Sequence, residues 1–108
     1  MTHEDTLKSL NALVAEVWCP EEIGNSDWNP SSDLTDAWKV WESSLWKGTQ
    51  RLVRSVSGGY VTTCFYRGYK VVVSAPTAPI AICFSALKAV QIADGLFIND
   101  LVNTLLDV

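Results

Sequence analysis

Residues 50–75 read QRLVRSVSGGYVTTCFYRGYKVVVSA, and this stretch decides the fold. β-Branched and aromatic residues fill three short runs, Gln50 to Ser57, Tyr60 to Arg67 and Tyr69 to Ala75. Gly58-Gly59 and Gly68 separate them. Glycine reaches the positive φ values that tight hairpins need, so the punctuation predicts two hairpins and a three-stranded antiparallel meander.

Helices are expected on both sides of this segment. Leu7, Leu10, Leu13, Val14 and Val17 recur at three- and four-residue spacing, which puts one apolar face on a helix from about Glu4 to Trp18. Cys19-Pro20 ends it, because the residue before proline is pushed out of the helical region. A polar, turn-rich loop runs to Ser32 and contains Trp28. The Ser32 hydroxyl is expected to cap a second helix, with Asp33 and Asp36 favourable at its positive end. Leu34, Ala37, Trp38, Trp41 and Leu45 give that helix a stripe reaching about Trp46.

After the strands, Pro76-Thr77-Ala78-Pro79 opens a third helix, with Thr77 as N-cap and Pro79 in the first turn. Ile80, Cys83, Phe84, Leu87 and Val90-Gln91 are its expected buried side. Asp94-Gly95 stops it, and a last helix follows with Ile98, Leu101, Val102 and Leu105 in one stripe, widened by Phe97, Leu106 and Val108. The predicted order is α-α-β-β-β-α-α, an α+β domain with helices packed on a small meander sheet. Three strands cannot cover every apolar helix face from one side. Either helices lie on both faces of the sheet, or another copy of the chain covers one.

The chain has 108 residues, room for one domain with one core. With 48 % hydrophobic and 19 % charged residues it is not a disordered chain. Each of its five Trp buries roughly 200 Å² when packed inside, so they are expected mostly in the core. The uncharged run from Val71 to Leu87 is broken by Pro76 and Pro79, and reads as a buried strand and helix rather than a membrane span. No secretion signal is expected from the acidic start Met1-Thr2-His3-Glu4-Asp5. Three widely spaced cysteines, Cys19, Cys64 and Cys83, suggest reduced thiols in a cytosol.

Charge is segregated along the chain, although the net value is only −4. Residues 1–42 hold two lysines against nine acids, and the tail adds Asp94, Asp100 and Asp107. From Ser43 to Ala93 there is no acid, but there are Lys47, Arg51, Arg54, Arg67, Lys70 and Lys88. Every arginine lies in the strand segment, interleaved with Tyr60, Phe65, Tyr66 and Tyr69. Guanidinium forks suit phosphate or carboxylate, and aromatic rings offer faces on which a base can stack. These cations either pair with the acidic helices, bind a small anion, or meet an acidic protein surface. Extended nucleic acid fits poorly, since six basic residues in an acidic chain leave a weak footprint and no binding motif is present.

Groups for catalysis are scarce. The single histidine, His3, sits at the terminus, so His-based acid–base work and His-rich metal sites are excluded. Cys64 and Cys83 read as core packing. No phosphate-binding Gly-x-x-x-x-Gly-Lys loop and no Gly-x-Gly-x-x-Gly fingerprint occurs. The chain is therefore expected not to be an enzyme, and to need neither metal nor cofactor.

Two segments carry a resemblance. Trp28-Asn29-Pro30-Ser31-Ser32 precedes Asp36-Ala37-Trp38-Lys39-Val40-Trp41-Glu42, and Thr77-Ala78-Pro79-Ile80-Ala81-Ile82-Cys83 precedes Ala86-Leu87-Lys88. Together, over roughly residues 5–91, they resemble the small phage and prophage proteins of the phage ABA sandwich family. The resemblance implies an αβα sandwich and a viral origin, and carries over no catalytic residue. Trp41 stands where that family usually has smaller residues. The tail looks like an addition, so residues 1–91 are read as the domain and 92–108 as a C-terminal helical extension. That extension either drives self-association or completes the domain's own core.

Small phage proteins without chemistry commonly act by occupying something the host needs. The expected role, in the cytoplasm of an infected bacterium, is to counter host immunity by sequestering an anionic nucleotide-type signal, of cyclic nucleotide or ADP-ribose type. Arg51, Arg54, Arg67 and Lys70 would hold phosphates, Tyr66, Tyr69 or Trp28 would stack on a base, and a homo-oligomer would place such sites between subunits. The alternative is an anti-CRISPR-like protein–protein inhibitor that binds a host defence effector through its acidic helices.

Overall fold

The computed structural model describes residues 3–42 and 50–94. Its elements are α1 (His3–Trp18), a short 3-10 turn (Pro20–Glu22), α2 (Leu34–Trp41), β1 (Gln50–Arg54), β2 (Tyr60–Tyr66), β3 (Tyr69–Ala75) and α3 (Ala78–Asp94). The α+β class and the order of the first six elements are as the sequence predicts. The expected helix after Gly95 and the expected continuation of the second helix to Trp46 lie outside the described residues.

Helix α1 buries Leu10, Val14 and Trp18, one residue per turn on one face. The cap of α2 differs from expectation by one residue. Asp33, with φ −107° and ψ 116°, is the N-cap, and its carboxylate accepts from the backbone N–H of Thr35 (2.8 Å) and Asp36 (3.4 Å). A charged acceptor complements the helix dipole, an advantage that the neutral Ser32 hydroxyl lacks. Thr77 does cap α3: its carbonyl accepts from Ala81 N–H at 3.0 Å and its hydroxyl from Ile80 N–H at 3.4 Å.

The strands form one antiparallel sheet in the order β1-β2-β3. Leu52 pairs with Thr62 and Thr62 with Val73, so the three strands are in register across the sheet. Side chains alternate between faces along each strand. One face turns Leu52, Thr62, Cys64, Tyr66, Val71 and Val73 toward the helices, and all of these but half-buried Leu52 are buried. The other face carries Arg51 and Val53 from β1, Val61, Thr63 and Phe65 from β2, and Lys70, Val72 and Ser74 from β3.

All three described helices lie on the first face, stacked in two layers. Helix α3 packs against β2 and β3 on one side and against α2 and α1 on the other. Its middle therefore has no solvent side: residues 81–87, 89 and 90 are all buried, a wider set than a one-sided helix needs, and only toward its end does Ile92 come to the surface. Polar ties cross these layers. The Trp18 indole N–H donates to the Ala86 carbonyl (3.1 Å), and the Trp41 indole N–H donates to Ser85 Oγ (3.2 Å). The Thr62 hydroxyl lies 3.3 Å from the Val73 carbonyl and 3.5 Å from that of Ala81, linking sheet to helix. No described element covers the second face of the sheet.

Candidate ligand-binding surface

Strand parity divides the basic residues among three places. Arg51 pairs with Thr63, and Lys70 pairs with Phe65, so both cations sit on the open face on either side of β2. Two strand spacings and two residue steps put their Cα atoms roughly 12 Å apart. Both are exposed, and neither meets a carboxylate among the described residues. Thr63 and the exposed ring of Phe65 lie between them.

Arg54 stands at the far end of β1, opposite Tyr60, at a register position of the helix-side face. Arg67 occupies the β2–β3 turn with φ 51°, and its guanidinium carbon lies 5.3 Å over the Tyr66 ring. Six residue steps along β2 separate the Tyr60 and Tyr66 levels, about 20 Å. The structure thus brings Arg51 and Lys70 together and leaves Arg54 and Arg67 at opposite ends.

The three predicted aromatic residues divide in the same way. Tyr66 is in the core, with its ring edge-on to Trp18 at 5.5 Å between centroids. At 6 % exposure the ring offers no open face to a base. Trp28 is buried in the N-terminal layer, where its indole N–H donates to the Asn11 carbonyl (3.0 Å) and Lys39 Nζ lies 5.9 Å over its ring. Tyr69 is exposed, at the start of β3 on the helix-side register. On the open face the exposed ring is Phe65. Reading by segment grouped Phe65 with the tyrosines, and left out Thr63 and Val72. Counting parity through the two hairpins is the signal that places all three beside Arg51 and Lys70.

The motif around Trp28 is a structural lock. Asn11 of α1 donates from Nδ2 to Asn29 Oδ1 (3.0 Å) and accepts at Oδ1 from Ser31 N–H (2.9 Å). Asn29 N–H in turn donates to Asp36 Oδ2 (3.0 Å). Nearby, the Lys39 ammonium and the Asn25 amide both donate to the Glu22 carboxylate, which holds it below the usual carboxylate range. These bonds tie the α1–α2 loop to both helices and commit the side chains of Glu22, Asn25 and Asn29.

The thiols are not prepared for attack. Cys19, Cys64 and Cys83 are free and buried. Burial pushes Cys19 and Cys64 up to about 11, and Cys83 higher still. The reactive form of a cysteine is the thiolate, which such surroundings disfavour. Among the described residues no three His, Cys, Asp or Glu side chains come together to hold a metal, and no helix is long and apolar enough to cross a membrane.

The Phage ABA sandwich domain model matches residues 5–87. The first motif segment falls within that span and the second does up to Leu87, and the open face lies wholly inside it. No curated protein and no solved structure matches the chain.

Proposed function

Because the chain belongs to the phage ABA sandwich family, we propose that it is a non-catalytic binding protein of the infected bacterial cell. There it counters host immunity by holding an anionic, nucleotide-type signal on the open face of its sheet. One observation carries this reading: Arg51 and Lys70 flank the exposed Phe65 ring on a surface where no described carboxylate neutralises them. Arg51 offers a planar fork to one phosphate, and Lys70 a point charge to a second. Thr63 adds a hydroxyl that can donate or accept. Stacking of a base on Phe65 is worth about 1–3 kcal/mol.

Calorimetry with a cyclic dinucleotide and with cyclic ADP-ribose tests the reading. Heat is expected with at least one of them. Arg51→Ala and Lys70→Ala should each weaken binding about tenfold or more, as loss of a charged hydrogen bond does. Arg54→Ala and Arg67→Ala should change it little. Absence of heat with every such ligand at tens of micromolar discards the idea.

A second reading draws on α2, where Leu34 and Trp38 are exposed beside Lys39 and Glu42. An exposed Trp within a polar rim is a frequent anchor of protein interfaces, which favours an inhibitor that docks on a basic host effector. Asp33 and Asp36 are committed to the cap and to Asn29, so the informative changes are Trp38→Ala, Glu42→Lys and Glu16→Lys. Loss of capture of one host protein with these three, and not with Arg51→Ala, selects this reading over the first.

A further inference from the structure

The strand order β1-β2-β3 leaves two outer edges that no described strand pairs with. The turns decide which backbone groups each edge offers. Arg67-Gly68 is a two-residue connection, so Tyr66 and Tyr69 bond to each other, and residues 69, 71, 73 and 75 of β3 face β2. The other hairpin has the matching parity. Ser55 N–H donates to the Gly59 carbonyl (3.0 Å), which turns the odd residues of β2 toward β1 and the even ones toward β3. Lys70, Val72 and Ser74 therefore direct three N–H and three C=O groups outward from the sheet.

Natural sheets usually block such an edge with charge, proline or a bulge. From Val71 to Ala75, β3 has none of these. Its register with β2 is unbroken over seven residues, and Pro76 comes only after the strand. Val72 is 56 % exposed. β1 is defended, with Arg51 and Arg54 in its five residues.

β3 is also complementary to itself. Paired antiparallel about a two-fold axis at Val72, it sets Lys70 opposite Ser74 of a second copy, Val71 opposite Val73, and large Tyr69 opposite small Ala75. Val72 meets its own counterpart, and all six outward groups gain a partner. The two copies of Lys70 stand four residue levels apart, about 14 Å, beyond the screening length of about 8 Å in physiological salt. The same pairing about Leu52 of β1 would set the copies of Arg51 two levels apart on one face, about 8 Å, where they repel.

We propose that two copies of the chain join along β3 into one continuous antiparallel sheet, in the order β1-β2-β3-β3-β2-β1. The contact is a strip about 23 Å long and about 10 Å deep, well below the roughly 800 Å² per partner of a standard-sized stable interface. The dimer is accordingly reversible, half-formed at tens of micromolar. In it, Arg51, Thr63 and Val72 of both copies lie in one row across the joined open face. The inference stands without the nucleotide reading.

Sedimentation equilibrium of the full chain with no ligand, from about 5 to about 500 µM, tests it. The mass should rise from one chain toward two. Val72→Pro removes an outward N–H and no bond to β2, a place where an edge strand tolerates proline, and should weaken the dimer about tenfold or more. Val72→Lys should do the same by setting two ammonium groups opposite each other. It carries the comparison alone if circular dichroism shows that Val72→Pro disturbs the sheet. The native thiols are buried, so a nitroxide can be placed selectively at Arg51→Cys. Its distance to the second copy should be about 24 Å, five strand spacings, against about 8 Å if the β1 edges join instead. A single-chain mass throughout, a dimer indifferent to both changes at Val72, or labels in close contact overturns the proposal.

Discussion

A buried thiol stores a pH dependence that the rest of this molecule can be read against. Cys19 and Cys64 have an ordinary value of 9.0 and are pushed up to about 11 by loss of water around the sulfur. Above pH 9 the unfolded chain gives up these protons while the folded chain keeps them. The unfolded state then binds fewer protons, so stability falls as pH rises from about 9 through about 11 and is unaffected by these groups below that window. Urea midpoints measured between pH 7 and pH 10 should decline only in the upper part, and Cys64→Val should flatten the decline. A flat profile in the parent protein contradicts the burial. Core cysteines were legible from sequence, because Cys64 sits in a strand and Cys83 among apolar helix residues. The role of Asn11 was not. Its partners Asn29 and Ser31 are 18 and 20 residues away, and no local pattern in α1 marks a polar residue that will anchor a distant loop. The same distance hid Trp28, whose ring reads as an available stacking platform until Asn11 and Lys39 are placed on it.

The hairpins show how glycine sets an element's geometry. Gly58 and Gly59 have φ of 100° and 78° in the β1–β2 connection. A Cβ on Gly58 would meet nothing within 4 Å, whereas one on Gly59 would lie 2.7 Å from the Ala75 carbonyl oxygen. That carbonyl is backbone of the adjoining strand and cannot swing away. Gly58→Ala should therefore cost only the conformational strain, about 1 kcal/mol, and Gly59→Ala about 2–3 kcal/mol or more. Thermal melts of the two variants check the order, and equal losses would mean that β3 yields at Ala75. The second turn, Arg67-Gly68, has both residues at positive φ, as a two-residue hairpin of this twist requires. Hairpin positions were legible because glycine marks them. The assignment of faces was not, because β2 and β3 are apolar on both. Val72 on the open side and Val71 and Val73 on the helix side look alike in sequence, and only the helices decide which pair is buried.

Across the whole molecule, charge and layering run in parallel. The acidic residues of 1–42 lie in the layer of α1 and α2, the basic residues of 50–70 lie in the sheet and its turn, and α3, without an acid before its last residue Asp94, separates them. The order of elements was legible, but this stacking was not. A helix whose middle turns are buried all round differs from a one-sided one only by residues such as Ala81, Ala86 and Ala89, which suit either. The separation predicts how an anion should bind. A formal charge of −4 repels it at long range, while Arg51 and Lys70 attract it at contact. Salt shortens the screening length from about 10 Å at 0.1 M to about 3 Å at 1 M. Adding a little salt to a dilute buffer should thus suppress the distant repulsion first and change affinity little. Approaching molar salt should then weaken binding by removing the contact attraction. Lys39→Met, in the opposite layer, should leave that profile unmoved, while Lys70→Met should flatten its upper part. Calorimetry of a cyclic dinucleotide across this range measures both, and a profile that Lys39→Met alters and Lys70→Met does not would move the site to the helical side.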